Sequence, residues 1–301
     1  MVYLPKKVTV KEVGPRDGLQ NEKKQINTDD KVTWINMLSH TGLSFIEVTS
    51  FVHPKWIPSL ADCFEVAKKI DRVEGVTYSA LVPNQKGLEK ALAAEIDEIA
   101  IFISASETHN QHNVNRSRED SFSILKGVIN DSLTENKKVR GYISTVFGCP
   151  YEGVIEVAEV LRICEKLFSM GVYEISLGDT IGVATPKQVN EVLSRIFREF
   201  PEGQFAMHFH NTRGTALANV NASLEYGITS FDSSLGGLGG CPYAPGASGN
   251  VATDDLYYLL NTMGIQTGIE EKKLTAAVRY IQEKIGRRLD SHSSRLLEEF
   301  L

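Results

Sequence analysis

Apolar and polar positions in this chain follow two alternating rhythms. Short runs rich in β-branched and aromatic residues lie at 8–13, 45–49, 77–82, 98–103, 139–146, 174–177, 205–210 and 229–233. Longer segments between them, at 29–41, 60–70, 87–94, 121–133, 153–170, 186–200 and 214–226, space their apolar residues three or four apart. A period of two marks strands and one near 3.6 marks helices, so the pattern predicts eight strands alternating with helices. Boundary residues agree. Thr28-Asp29-Asp30 offers a cap and an acidic first turn, Thr185-Pro186 opens a helix, and Gly42, Gly171 and Gly227 stand just past helical ends.

Repeated strand–helix units imply a parallel sheet, and eight of them favour an α/β (β/α)8 TIM barrel over an open doubly wound sheet. An open nucleotide-binding sheet would carry a glycine fingerprint after its first strand, which Gly14-Pro15-Arg16-Asp17-Gly18 does not match. Past Gly264 the chain reads as one further helix, 272–286, and a polar tail. No linker rich in Pro, Gly or Ser divides it. The expectation is a single catalytic domain over 1–301, with the barrel at about 8–265 and a C-terminal helical extension at about 266–301.

Composition narrows the class. At 301 residues and 42% hydrophobic, the chain can bury a large core, yet no apolar run reaches the roughly 18 residues of a membrane span. A soluble protein without a membrane partner is expected. The net charge of -6, with scattered Lys and Arg, argues against nucleic acid but leaves room for an anionic small molecule. The first residues, MVYLPKKVTV, resemble neither a secretion signal nor a transit peptide, so a cytoplasmic location is expected. Cys63, Cys149, Cys164 and Cys241 form no CxxC pair, which turns attention from disulfides to a single reactive thiol.

In a barrel, chemistry gathers at the C-terminal ends of the strands. Arg16 and Asp17 follow the first predicted strand, Glu47 and Ser50 end the second, Asp179 follows the sixth, and His208 and His210 end the seventh. Asn250 lies beyond the loop after the eighth. In a strand, His208 and His210 share one face. With Asp17 they offer a carboxylate and two imidazoles, and Asn250 can add an amide oxygen. Without thiolates, Mg2+ or Mn2+ suits this set at least as well as zinc. Simpler readings compete: an HxH pair can be satisfied core histidines, Arg16-Asp17 a surface turn, Glu47 a buried ion pair, and Ser176 and Asp179 loop-fixing groups. Six glycines between 236 and 249 surround Cys241. They suit either a lid that brings the thiol over a substrate or a set of tight turns around a small buried cysteine.

Five blocks carry a family resemblance. Glu12-Val13-Gly14-Pro15-Arg16-Asp17-Gly18-Leu19-Gln20-Asn21-Glu22, Glu47-Val48-Thr49-Ser50-Phe51-Val52, Gly148-Cys149-Pro150-Tyr151-Glu152-Gly153, Ser176-Leu177-Gly178-Asp179-Thr180-Ile181-Gly182 and Gly237 through Asn250 resemble, in order, the 3-hydroxy-3-methylglutaryl-CoA lyase family. The resemblance implies metal-dependent cleavage of 3-hydroxy-3-methylglutaryl-CoA to acetyl-CoA and acetoacetate. It implies Asp17, His208, His210 and Asn250 as the metal shell, Arg16 and Cys241 as catalytic groups, and Glu47 as a supporting carboxylate. His208 or Asp17 is a candidate relay for the hydroxyl proton, with the base itself unassigned. Ser50, Ser176 and Asp179 are candidate substrate contacts, and Lys23 and Asn113 candidate CoA contacts by position. The family also suggests a homodimer, in leucine breakdown or ketone-body production.

Two features qualify the match. Asn211 stands after HxH where the family more often has aspartate, which changes the charge expected beside the metal. Leu19 stands where related condensing synthases usually carry Glu, which separates this chain from that rival. A catalytically silent metal- or CoA-binding barrel is the rival of another class; the intact Arg16, Asp17 and Cys241 argue against it.

Overall fold

The parallel strands β1 (Thr9–Glu12), β2 (Phe45–Ser50), β3 (Thr77–Leu81), β4 (Glu98–Ser104), β5 (Lys138–Ser144), β6 (Glu174–Asp179), β7 (Phe205–Phe209) and β8 (Ser230–Ser233) pair in chain order, and β8 returns to β1. The computed structural model describes residues 4–200, 204–240 and 249–296. The closed sheet is the expected (β/α)8 barrel. Around it lie α1 (Thr28–Ser39), α2 (Cys63–Lys69), α3 (Gln85–Ala93), α4 (Glu107–Val114), α5 (Arg118–Thr134), α6 (Val157–Ser169), α7 (Pro186–Glu199), α8 (Ala216–Leu224), α9 (Thr253–Thr262), α10 (Glu271–Ile285) and α11 (His292–Leu296). Among the described residues no helix is long and apolar enough to cross a membrane.

Helix ends follow local chemistry. Asn27 caps α1, Ser106 caps α4, Ser117 caps α5 and Thr185 caps α7 in a reciprocal box with Gln188. Two expectations shift. The helix expected over 60–70 is a short 3-10 turn at Pro58–Leu60 followed by α2, and the one expected from 153 begins at Val157 because Cys149 and Gly153 close a turn through both backbone bonds. Neither α4 nor α9 was anticipated. The first, ETHNQHNV, has no apolar stripe to announce it, and the second buries only Leu256 and Leu260 among its apolar side chains.

The apolar core fills the ring between strands and helices, with Trp34, Ile35 and Leu38 of α1 and Ile46 and Val48 of β2 among its buried members. Inside the barrel the picture reverses. Lys11, Glu98, Arg140, Glu174 and Asp232 are all buried there. Arg140 donates from Nε to Glu174 and from NH2 to Asp232, each at 2.6 Å, and Lys11 reaches Glu174 at 2.6 Å. Buried charges persist only when partnered: Lys11, Arg140, Glu174 and Asp232 pair across four strands, and Glu98 accepts from the Tyr173 hydroxyl at 2.6 Å.

The C-terminal extension packs against the barrel helices. α10 lies along α1, where Tyr280 donates to Asp30 at 2.8 Å, and α11 lies against α9. Gly42 lets the segments meet: its φ is +90°, and a Cβ there would stand 2.0 Å from the Gly268 carbonyl oxygen.

Candidate active site

Arg16 and Asp17 reach the barrel mouth through one tight turn. Immediately after β1, Gly14–Gly18 forms a single π-type turn in which the backbone N–H groups of Arg16, Asp17 and Gly18 all point to the Val13 carbonyl. Side chains at either glycine would collide with neighbours. A Cβ at 14 would lie 2.5 Å from Glu12 Oε1, and one at 18 would lie 2.6 Å from Ser234 Oγ. Glu12 braces the same corner by accepting from Gly14 N, Leu235 N and Thr253 Oγ1. Burial pushes its carboxyl up to about 7 in spite of those donors.

Arg16 is fixed between two carboxylates. Its Nε donates to Glu47 Oε2 at 2.8 Å, and its NH1 donates to Asp17 Oδ1 at 2.5 Å. A bulge between Glu47 and Thr49 marks the position from which Glu47 enters the barrel. Tyr142 donates to the same Glu47 oxygen at 3.0 Å, and the guanidinium carbons of Arg16 and Arg140 lie 5.3 and 4.6 Å from its ring centroid. Burial pushes the Glu47 carboxyl up, and Arg16 pulls it back towards the charged form.

His208, the penultimate residue of β7, lies beside Asp17, with Nε2 3.8 Å from Asp17 Oδ2. His210 lies one residue past the strand and pairs in an antiparallel bridge with Asn250. That bridge, with Asn211 N bonded to Gly249 O and Val251 N to Phe209 O, brings the returning end of the glycine-rich loop to β7. Its two ends touch closely: a Cβ at Gly249 would stand 2.3 Å from the Gly239 carbonyl oxygen. Asn250 Nδ2 then donates to Asp17 Oδ2 at 2.8 Å. Cys241 lies outside the described residues.

These groups fit a divalent cation. One ligand atom from each of Asp17, His208 and His210 lies within 4.8 Å of the others. His210 Nδ1 and Asn250 Oδ1 are buried acceptors without a hydrogen-bond partner. Such atoms are costly unless something occupies them. Burial, followed by the nearby His208, pushes His210 down to about 4, so its ring is neutral as a ligand requires. Burial alone would raise Asp17, but Arg16 and the two imidazoles hold it down at about 2.

A cavity of about 660 Å³ opens over this centre, lined by Arg16, Asp17, His208, His210 and Tyr142 and, farther out, by Asn113. Other sequence candidates lie elsewhere. Ser50 is buried, with Val52 N at 3.4 Å from its hydroxyl; Ser176 donates to Asp232 at 2.7 Å; Asp179 accepts from Val183 N and Ala184 N. Lys23 is exposed, and none of these four lines the cavity. Asn211 accepts from Ala216 N at the start of α8.

Tyr142, Arg140 and Asp232 escaped the sequence reading. A signal was present: Arg140 and Asp232 interrupt predicted buried strands just as Glu47 does, and a buried charge demands a partner.

The comparisons with known proteins agree with this geometry. The HMGL-like family model matches residues 7–281. Hydroxymethylglutaryl-CoA lyase YngG of Bacillus subtilis is 59% identical over 289 residues, covering 96% of this chain and 97% of the relative. The human mitochondrial hydroxymethylglutaryl-CoA lyase is 49% identical over 291 residues, covering 97% of this chain and 90% of the relative. Among solved structures, the B. subtilis HMG-CoA lyase superposes with a TM-score of 0.97 at 58% identity, over 98% of this chain and 99% of that one. An Acinetobacter baumannii HMG-CoA lyase in complex with coenzyme A and 3-methylmalate gives 0.93 at 40% identity, over 98% and 96%. With the family model spanning most of its length and relatives of this identity aligned nearly end to end, the chain belongs to the HMGL-like family.

Proposed function

We propose that this protein cleaves 3-hydroxy-3-methylglutaryl-CoA to acetyl-CoA and acetoacetate. The observation that carries the reading is the convergence of Asp17, His208, His210 and Asn250 beside Arg16 at the base of one cavity. Relatives named for this activity, and one solved with coenzyme A, support it.

The reaction breaks the bond between the thioester α-carbon and the carbinol carbon. A proton leaves the tertiary hydroxyl, that oxygen becomes the ketone of acetoacetate, and the bonding pair becomes the enolate of acetyl-CoA. Asp17, His208, His210 and Asn250 would hold Mg2+ or Mn2+, which when bound polarises the hydroxyl and orients the substrate. Arg16, immobilised by Glu47 and Asp17, places fixed positive charge where the enolate oxygen develops. Glu47 and Tyr142 keep that guanidinium from turning away. Cys241 would deliver the proton that converts the enolate carbon to the methyl group of acetyl-CoA. Asn113 lines the cavity wall and would meet the CoA moiety.

The reading extends to one catalytic domain over the whole chain, acting as a homodimer in the cytoplasm, in leucine breakdown or ketone-body production. Purified protein supplied with Mg2+ or Mn2+ should release acetoacetate from 3-hydroxy-3-methylglutaryl-CoA, and chelation should stop it. Turnover of another acyl-CoA with none of this one would overturn the substrate assignment.

A further inference from the structure

His208 lies between two carboxylates. Nε2 faces Asp17, while Nδ1 on the other edge of the ring lies 3.2 Å from Asp232 Oδ2. The second contact is built into the sheet, because His208 and Asp232 are register partners on β7 and β8. Asp232 is itself fully clamped: Ser176 Oγ donates to Oδ2 at 2.7 Å and Arg140 NH2 to Oδ1 at 2.6 Å. Arg140 is anchored in turn by Glu174, which also receives Lys11. Every member of this chain is buried, and none of Asp232, Ser176, Arg140 and Glu174 lines the substrate cavity.

An ionised carboxylate only accepts, so the nitrogen facing Asp232 must carry the proton. The Nε2 lone pair is then left free on the side of Asp17, His210 and Asn250. We propose that Asp232 is a positioning residue that fixes the tautomer and ring orientation of His208 for metal binding, with Ser176 and Arg140 holding Asp232 in place. Carboxylates behind metal-binding histidines act in this way generally, and losing one weakens metal affinity about 10- to 100-fold. Ser176 thereby acquires a task other than substrate contact. Simple charge balance for Arg140 makes a different prediction: removal of Asp232 would then change stability and leave metal affinity alone.

The inference rests on the metal reading of Asp17, His208 and His210, which wild-type Mn2+ binding and its loss in His210→Ala test separately. For Asp232→Asn, Mn2+ titration followed by electron paramagnetic resonance should show binding about 10- to 100-fold weaker than wild type. Affinity within about twofold of wild type would overturn the proposal. If that variant is not recovered folded, nitrogen NMR of histidine-labelled, metal-free wild-type protein decides, with His208 assigned by its loss in His208→Asn. A protonated Nδ1 supports the proposal, and a proton resident on Nε2 defeats it.

Discussion

Arg16 and Glu47 meet through two nitrogens and one oxygen: Nε and NH2 of the arginine each lie 2.8 Å from Glu47 Oε2. The pair is buried, and Asp17, which also faces His208, holds the other arm of the guanidinium. Positive charge is therefore held in position before any substrate arrives.

Lysine cannot reproduce that fork. Arg16→Lys should lower kcat by about 100- to 1000-fold, the scale of losing a fixed donor to a developing oxyanion. Mn2+ affinity should stay within a few-fold of wild type. Acetoacetate release and metal titration measure the two quantities independently, and comparable losses in both would refute a role confined to the enolate.

Metal ligation makes its own prediction. His210→Ala and Asp17→Asn should each abolish saturable Mn2+ binding in the micromolar range, and Asn250→Ala should weaken it less, since only one neutral oxygen is lost. Calorimetry of the metal-free proteins tests the ranking.

Glu12 gives a pH signature distinct from catalysis. Its carboxyl lies near 7 in the folded protein against 4.5 for the ordinary group, because burial disfavours the charge. The folded state thus binds a proton that the unfolded chain releases between those values. The resulting stabilisation is complete below pH 4.5 and is lost as pH rises through 7, amounting to about 3 kcal/mol. Glu12→Gln cannot release that proton, so denaturation at pH values across this window should show a shallower decline than wild type.

Two glycines with similar backbones should respond differently to alanine. Gly42 and Gly75 have φ of +90° and +85°, but a Cβ at 75 meets nothing within 4 Å whereas one at 42 strikes the Gly268 carbonyl. Gly75→Ala should cost about 1 kcal/mol, the usual penalty of left-handed backbone. Gly42→Ala should cost at least about 2 kcal/mol more, through displacement of the α1–α10 junction. Thermal melts of both variants provide the comparison.

Cys241→Ser tests the thiol. A large fall in turnover with Mn2+ affinity unchanged would support proton delivery, and undiminished turnover would eliminate it.

Much of this was legible along the chain because it depends on local rules. Eight strands came from periodicity, and Asp17, His208 and Asn250 from their places near strand ends and loop returns. Helix α4 was not legible, since its eight polar-rich residues are held by the Ser106 cap and tertiary packing in place of an apolar stripe. For Ser176 and Asp179 the chain left substrate contact and loop fixing both open, and their bonds to Asp232 and to Val183 N and Ala184 N were not legible because strand-end polarity does not reveal what a side chain will meet.

Sequence alone determined the alternation of strands and helices and the supply of a carboxylate, two imidazoles and an amide. Tertiary structure decided their partners. The register of β7 and β8 set Asp232 beside His208, and the packed barrel interior set Arg140 between Glu174 and Asp232. The His210–Asn250 bridge joined residues forty positions apart. Those pairings depend on strand register and on a closed interior where a charge without a partner is too costly to keep, and neither condition is written in any single segment.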